Sequence, residues 1–306
     1  MADPPELLLR WAALAIGEEA TVVSVTGLHD GSSPWRLHVV SPDATTDAIL
    51  RTALDPPRWP GGPMARSKLA RGVAALRVAE QHGLAAPRLI ACDLDGDEAG
   101  RPASLETVLP GNSGRPGSLP ATLGWPEAPA GAGWRDAGAA LARVHRVRLQ
   151  PREHLPLRKA DVRSRPPVPR STPLLQLADD VVRRHEPPRG ESVFLHGDVW
   201  PGNVLWIGDT CAGLIDWKEA CVGHPGSDLA NLRYFAALHH GPDGALLVRQ
   251  GWEDEIGREA TDVAYWDVVW ALYSRDAVDV LTGPDWSHGT TDRRDALLRA
   301  AVDELV

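Results

Sequence analysis

The sequence predicts an α+β protein with two lobes, a small antiparallel β-sheet with one helix followed by a larger, mainly helical part. Three observations support this prediction. β-branched runs dominate residues 20–53, the Gly- and Pro-rich stretch 110–133 shows little periodicity, and apolar residues recur at helical spacing beyond it. A chain of 306 residues is long enough for two lobes that share a cleft. We therefore predict lobes of residues 1–110 and 111–306.

The N-terminal lobe begins with an apolar run over residues 7–16 that is interrupted by Arg10. This run predicts a short amphipathic helix, because it is too polar and too short for a membrane span and no basic segment precedes it. Three strands are predicted next, over residues 21–25, 37–40 and 48–52.

The connection between the first two strands, residues 27–34, is rich in Gly, Ser and Asp. Free backbone amides in such a loop could close over a phosphate group, which would place Gly31, Ser32 and Ser33 at the phosphate. An ordinary hairpin loop has the same composition, and taken alone the connection favours that simpler interpretation.

One helix and two strands complete the predicted sheet. Leu69, Val73 and Leu76 lie at helical spacing within residues 65–82, and Gly83 follows as a C-cap would. Strands are predicted over residues 88–92 and 103–109, so the sheet has about five strands, an average size.

The C-terminal lobe is predicted to be helical around a few short strands. The predicted helices cover residues 134–146, 173–185, 229–239, 260–281 and 292–305, and the predicted strands cover residues 192–195, 204–207 and 212–215. A Pro- and Arg-rich loop, residues 150–171, separates the first two helices.

Charge and cysteine content exclude several classes of partner. The net charge of −9 gives no positive field to attract nucleic acid or anionic lipid, so we expect neither as a partner. Cys92, Cys211 and Cys221 are far apart and form no C-x-x-C pair, which suits a reducing cytoplasm.

The segment His196-Gly197-Asp198-x-x-x-x-Asn203 lies between two predicted strands, and Asp216 follows within Ile-Asp-Trp. An H-G-D-x-x-x-x-N match arises by chance in roughly one such chain in a thousand. Phosphoryl transfer needs a group that orients the attacking hydroxyl and oxygen ligands for magnesium. We therefore predict Asp198 as the base, Asn203 and Asp216 as Mg²⁺ ligands, and His196 as a residue that hydrogen-bonds the loop backbone near Asp216.

With these motifs the chain resembles the aminoglycoside phosphotransferase and choline kinase family, relatives of the protein kinases. The resemblance covers nearly the whole chain, and the matching segments are residues 39–52, 104–111, 141–145, 196–203, 215–217 and 226–230.

The resemblance implies a protein-kinase-like fold, with ATP or GTP held by the N-terminal lobe and catalysis and substrate binding in the C-terminal lobe. It places the adenine near Glu106, Val108 and Leu109. It also makes Asp228 a scaffold of the catalytic loop, although a helix N-cap is an equally good interpretation of that residue.

The sequence departs from the family at the phosphate clamp. Members have a lysine on the third strand and a glutamate on the following helix, whereas this chain has Arg51 and, at the helix position, Gly72. Glu80 is expected on the solvated face of the same helix. Two hypotheses follow: an active kinase with a rearranged clamp, which we favour, and a nucleotide-binding pseudokinase with little turnover.

The acceptor is expected to be a small hydroxyl-bearing molecule, such as an aminoglycoside-like antibiotic, a sugar or an amino alcohol, bound by a monomer or a homodimer. A protein substrate is disfavoured because residues 217–226 contain no Ser, Thr or Tyr. Acidic side chains of the C-terminal lobe could attract a polycation, and four tryptophans could line an apolar pocket. These are Glu219, Asp243, Glu253, Asp254, Glu255, Glu259, Asp262 and Asp267, with Trp252, Trp266, Trp270 and Trp286.

Overall fold

The computed structural model of the protein describes residues 4–29, 32–53, 65–113, 131–158, 170, 172–273 and 287–306. The chain divides into two compact units. The first consists of Met1–Pro110 with Glu153–Leu155 and Leu214–Ala220, and the second of the remaining residues. The predicted α+β class is confirmed.

The first unit is built on a five-stranded antiparallel sheet whose strand order is β1-β2-β3-β5-β4. Its elements are α1 (Glu6–Ile16), β1 (Thr21–His29), β2 (Ser32–Val40), β3 (Thr45–Thr52), α2 (Ala65–Gln81), β4 (Leu89–Asp93) and β5 (Ala103–Thr107). α1 is the predicted amphipathic helix. Its Leu8 and Ala12 are buried with alternate strand residues such as Leu37 and Leu50, as expected for a half-buried sheet.

The connection over residues 27–34 is a β-hairpin, as its simpler interpretation expected, but the two strands extend further into it than predicted. β1 continues to His29 and β2 begins at Ser32, with these two residues paired across the hairpin. Antiparallel pairing satisfies the backbone groups of this segment, so its Gly and Ser content does not prevent a strand. Ser32 and Ser33 therefore belong to a strand, and Gly31 lies outside the described residues.

The second unit is mainly helical. Its helices are α3 (Gly131–His145), α4 (Pro173–Arg184), α5 (Gly226–His240), α6 (Pro242–Ile256), α7 (Val263–Tyr273) and α8 (Ser287–Leu305), and its short strands are β6 (Asn112–Ser113), β7 (Val193–Leu195), β8 (Val204–Ile207), β9 (Thr210–Leu214) and β10 (Cys221–Gly223). β7 pairs with β10, and β6, β8 and β9 form a second small sheet. Within the described ranges, each helix is too short or too polar to cross a lipid bilayer.

α6 is a helix that the sequence analysis missed. Gly244 and Gly251 weaken its helical pattern, yet Gly251 permits close packing against α3, where Gly138 has the matching role. A Cβ atom at Gly251 would lie 1.8 Å from the carbonyl oxygen of Arg135, and one at Gly138 would lie 2.1 Å from that of Val248. Any side chain at either glycine would push the two helices apart. The predicted helix over residues 260–281 is α7, and residues 274–286 lie outside the described ranges.

Candidate active site

In the second unit, Asp198 and Asn203 are held together by the loop that carries both. The loop follows β7, and Asn203 ends a short 3₁₀ turn, Pro201–Asn203, directly before β8. The amide nitrogen of Asn203 donates to the backbone oxygen of Asp198 at 2.8 Å and to its carboxylate at 3.2 Å. The side chain of Asn203 therefore fixes the position of the Asp198 carboxylate.

Asp228 supports this loop from α5. Its fully buried carboxylate accepts the backbone N–H of His196 at 2.6 Å and that of Gly197 at 3.1 Å. Burial alone would raise the pKa of Asp228, but the neighbouring imidazole of His145 and nearby positive charges outweigh burial and lower that pKa. α5 begins at Gly226 with Pro225 at the N-cap, so the N-cap interpretation of Asp228 is wrong.

His145 at the end of α3 connects Asp228 to α6. Its Nε2 lies 3.5 Å from Asp228, and its Nδ1 accepts a hydrogen bond from the indole N–H of Trp252 at 2.9 Å. Because Nδ1 is an acceptor, a neutral imidazole carries its proton on Nε2, which faces Asp228. Trp252 is one of the four tryptophans that were expected to be available to line an apolar pocket. Its partner is instead the buried His145. The sequence did not indicate this contact because the helix that carries Trp252, α6, was not predicted.

Two more side chains contact the backbone of the loop. His196 is fully buried and its Nδ1 accepts the N–H of Asp198 at 3.3 Å. Arg158 donates to the carbonyl oxygen of Gly197 at 2.9 Å, and its guanidinium lies 5.6 Å from the ring centre of Trp270. Arg158 belongs to the loop that the sequence analysis described only as basic, so this contact was not predicted.

In the first unit, Arg51 on β3 lies between two carboxylates. Its Nε is 3.1 and 3.2 Å from the carboxylate oxygens of Glu106, and its Nη1 is 3.1 Å from Asp216. Burial would lower the pKa of the Arg51 guanidinium, but the two carboxylates outweigh burial and raise that pKa above its ordinary value. The Arg51 guanidinium therefore stays protonated, and the carboxylates of Glu106 and Asp216 already balance its positive charge.

Glu106 is paired with Arg51, and its predicted place near adenine stays a prediction. Its side chain is only 7% exposed, and its carboxylate contacts Arg51 and, at 3.4 Å, the hydroxyl of Ser104. Glu106 thus pairs with Arg51 as the missing helix glutamate would have done. Val108 and Leu109 are half-buried and follow β5, and their contact with adenine stays a prediction.

Asp216 is held in a left-handed backbone conformation, with φ of 67°. Aspartate adopts this conformation more readily than most residues with a Cβ atom. One carboxylate oxygen of Asp216 contacts Arg51, and the other contacts the ammonium group of Lys218. Both oxygens of the predicted metal ligand therefore face cations.

A cavity of about 170 Å³ lies beside these groups within the first unit. α2 contributes Lys68 and Gly72 to it, and a Cβ atom at Gly72 would lie 3.8 Å from the backbone of Lys218, which is ordinary contact distance. Glu80 is exposed on the same helix, as expected. The cavity is lined by Pro34, Arg51, Thr52, Lys68, Leu69, Gly72, Leu76, Ser104, Glu106, Asp216, Trp217 and Lys218.

The acidic side chains that could have attracted a polycation are largely neutralised. Five of them form ion pairs with arginine or lysine, namely Glu219, Glu253, Asp254, Glu255 and Asp267. The tryptophans also differ from expectation, because Trp252 and Trp266 are buried in the core. Trp270 is half-buried, and Trp286 lies outside the described residues. These observations weaken the idea of an acidic pocket for a polycation.

The oxygen donors fit the chemistry of Mg²⁺, which prefers hard oxygen ligands and keeps several waters. The amide nitrogen of Asn203 is used by Asp198, which leaves its amide oxygen for a metal. The two carboxylate oxygens of Asp216 are also suitable ligands, but one is paired with Arg51 and the other with Lys218. Among the described residues there is no group of three or more His, Cys, Asp or Glu side chains that could hold a metal ion without other ligands.

Comparison with known proteins identifies the family of this chain. The family model described as "Phosphotransferase enzyme family" matches residues 24–264. Homoserine kinase from Nitrobacter hamburgensis is 30% identical over 158 residues, which are 46% of this chain and 44% of that kinase. The match therefore spans less than half of the relative's length.

Solved structures confirm the fold that the resemblance implied. Macrolide 2′-phosphotransferase MphH from Brachybacterium faecium superposes with a TM-score of 0.58 at 16% identity, over 93% of this chain and 96% of that one. Aminoglycoside phosphotransferase APH(4)-Ia, in a ternary complex with ADP and hygromycin B, gives 0.55 at 14% identity, over 92% and 95%. At these identities the likeness shows the fold alone.

Proposed function

Because the chain belongs to the phosphotransferase enzyme family, we propose that it transfers the γ-phosphate of ATP or GTP to a hydroxyl of a small molecule. The single observation that carries the proposal is the hydrogen-bonded pair of Asp198 and Asn203 on a loop fixed by buried Asp228. This arrangement supplies a positioned base beside an amide oxygen that suits a metal.

Asp198 is the base in this mechanism. It accepts the proton of the acceptor hydroxyl, whose oxygen forms a bond to the γ-phosphorus while the bond from that phosphorus to the β–γ bridging oxygen breaks. Asn203 keeps the Asp198 carboxylate in place during the transfer. When bound, Mg²⁺ would be held by Asn203 and Asp216 and would neutralise charge on the phosphates.

The pairing of Arg51 supports an active enzyme over a pseudokinase. Gly72 removes the usual helix carboxylate, but Glu106 supplies one from β5 at 3.1 Å. The ion pair of the phosphate clamp is therefore present in a rearranged form, between Arg51 and Glu106.

The acceptor class in this proposal is a small hydroxyl compound such as an amino alcohol, a sugar or an antibiotic. The partial match to homoserine kinase favours a small amino compound with a hydroxyl group, and the neutralised acidic residues make a polycation a weaker candidate. The proposal also includes a cytoplasmic location and a monomer or homodimer without nucleic acid.

The test is acceptor-dependent consumption of ATP and GTP with Mg²⁺, confirmed by ³¹P NMR of the product. The panel contains homoserine, amino alcohols, sugars, hygromycin B and other aminoglycosides, and macrolides. We expect Asp198→Asn to lower kcat by about 10²- to 10⁴-fold while nucleotide binding remains. Asp303→Asn, an exposed aspartate on α8, is the control. Equal turnover in wild type and Asp198→Asn, or no acceptor-dependent turnover at all, would contradict the proposal.

A further inference from the structure

Lysine is rare in this chain. Only three of its 32 basic residues are lysines, Lys68, Lys159 and Lys218. Two of these three, Lys68 and Lys218, line the cavity of the first unit. A compact ammonium group binds phosphate as a point charge, whereas guanidinium groups bind as planar forks.

Each of the two lysines is held by one carboxylate. Lys68 pairs with Glu219, which Arg71 also contacts at 3.3 Å, and Lys218 pairs with Asp216, which Arg51 also contacts. The side chains of Lys68 and Lys218 keep 30% and 43% of their surface exposed. Solvent weakens such ion pairs, so an incoming anion can exchange with the carboxylates.

Arg51 is in a different position. It is held by the carboxylates of both Glu106 and Asp216, and it is less exposed than either lysine. Turning Arg51 toward a phosphate would leave the buried carboxylate of Glu106 without its partner, which is costly. Among the cations that line the cavity, the lysines are therefore the ones that can move to a ligand.

We propose that this cavity is a polyphosphate site in which Lys68 and Lys218 contact the phosphates, while Arg51, held by Glu106, positions Asp216. The inference rests on the proposed function and names the phosphate-binding residues of its nucleotide. The lining carries three cations, Arg51, Lys68 and Lys218, and two carboxylates, Glu106 and Asp216. Its charge thus favours an anion. When Lys218 moves to a phosphate, one oxygen of Asp216 becomes available to a metal.

Gly72 has a clear place in this arrangement. With no side chain it leaves the wall of the cavity open beside Lys218. The substitution Gly72→Glu would add a carboxylate next to the lysines. It should therefore weaken polyphosphate binding, whereas a site that lacked only the family's helix glutamate would bind more tightly after the same change.

The test is isothermal titration calorimetry of the full chain with tripolyphosphate and with AMP-PNP, each with and without Mg²⁺. Lys68→Met and Lys218→Met should each weaken binding of both probes by about tenfold or more, because each removes a hydrogen bond between charged groups. Lys68→Arg and Lys218→Arg should recover part of the affinity, which a merely structural role would not require. Arg77→Met, an exposed residue of α2, should bind like wild type.

The outcomes separate the inference from the proposed function. If wild type binds both probes and the lysine variants bind equally well, the inference is overturned and the proposed function stands. If the lysine variants lose binding but no acceptor is phosphorylated, the inference stands and the proposed function fails. If wild type binds neither probe, both fail. Thermal unfolding followed by circular dichroism checks that each variant is folded.

Discussion

Glu106→Gln is the change that most directly tests the rearranged clamp. It keeps the shape of the side chain but removes one of the two negative charges beside Arg51. At 3.1 Å, the direct attraction is about 5 kcal/mol for an effective dielectric constant of 20. Loss of one partner of a buried ion pair costs about 3–5 kcal/mol. Because Asp216 remains, we expect Glu106→Gln to lower the free energy of unfolding by about 2–4 kcal/mol.

Urea unfolding followed by circular dichroism measures this loss. A double-mutant cycle with Arg51→Gln should give a coupling energy of about 2 kcal/mol, since the two side chains are in contact. Glu80→Gln provides the matched control, because Glu80 is exposed on α2 and should change stability by less than about 0.5 kcal/mol. The reasoning fails if Glu106→Gln is as stable as wild type and the coupling energy is zero. A loss of nucleotide affinity without any loss of stability would instead favour the adenine contact expected from the sequence.

Three further predictions concern the second unit. Asp228→Asn should lower the free energy of unfolding by about 2–4 kcal/mol, measured by urea unfolding, because it leaves a fully buried site without the charge that accepts two backbone N–H groups; an unchanged midpoint would contradict this role. Trp252→Phe removes the donor to His145 and should cost about 1–3 kcal/mol by the same assay, whereas His145→Gln in the Trp252→Phe background should cost less than in wild type. Burial, with the neighbouring charges, lowers the pKa of His239 to about 4. As the pH falls, His239 is therefore protonated at a higher pH in the unfolded state than in the folded state. The free energy of unfolding should be at its full value above pH 6.5 and decrease by up to about 3 kcal/mol as the pH falls to 4. His239→Gln should flatten this decrease between pH 7 and pH 4, and equal slopes for the two proteins would refute the assignment.

Much of the fold follows from local patterns in the sequence. α1, α2 and α3 were predicted within a few residues of their observed ends, because their apolar residues recur at helical spacing. The same holds for β8, whose predicted bounds match. α6 was not predicted because Gly244 and Gly251 weaken helix propensity. The same two residues permit close contact with α5 and α3 respectively.

The residues of the candidate active site also differ in whether local sequence or tertiary structure decides their role. By itself, the spacing of Asp198, Asn203 and Asp216 determined the reaction class, because that spacing is set along one short stretch of chain. The partners of Arg51 were decided only by tertiary structure. Glu106 is 55 residues away in sequence and reaches Arg51 because β5 pairs with β3. No local pattern encodes this contact, because the register between β3 and β5 decides which carboxylate lies beside Arg51 on the sheet.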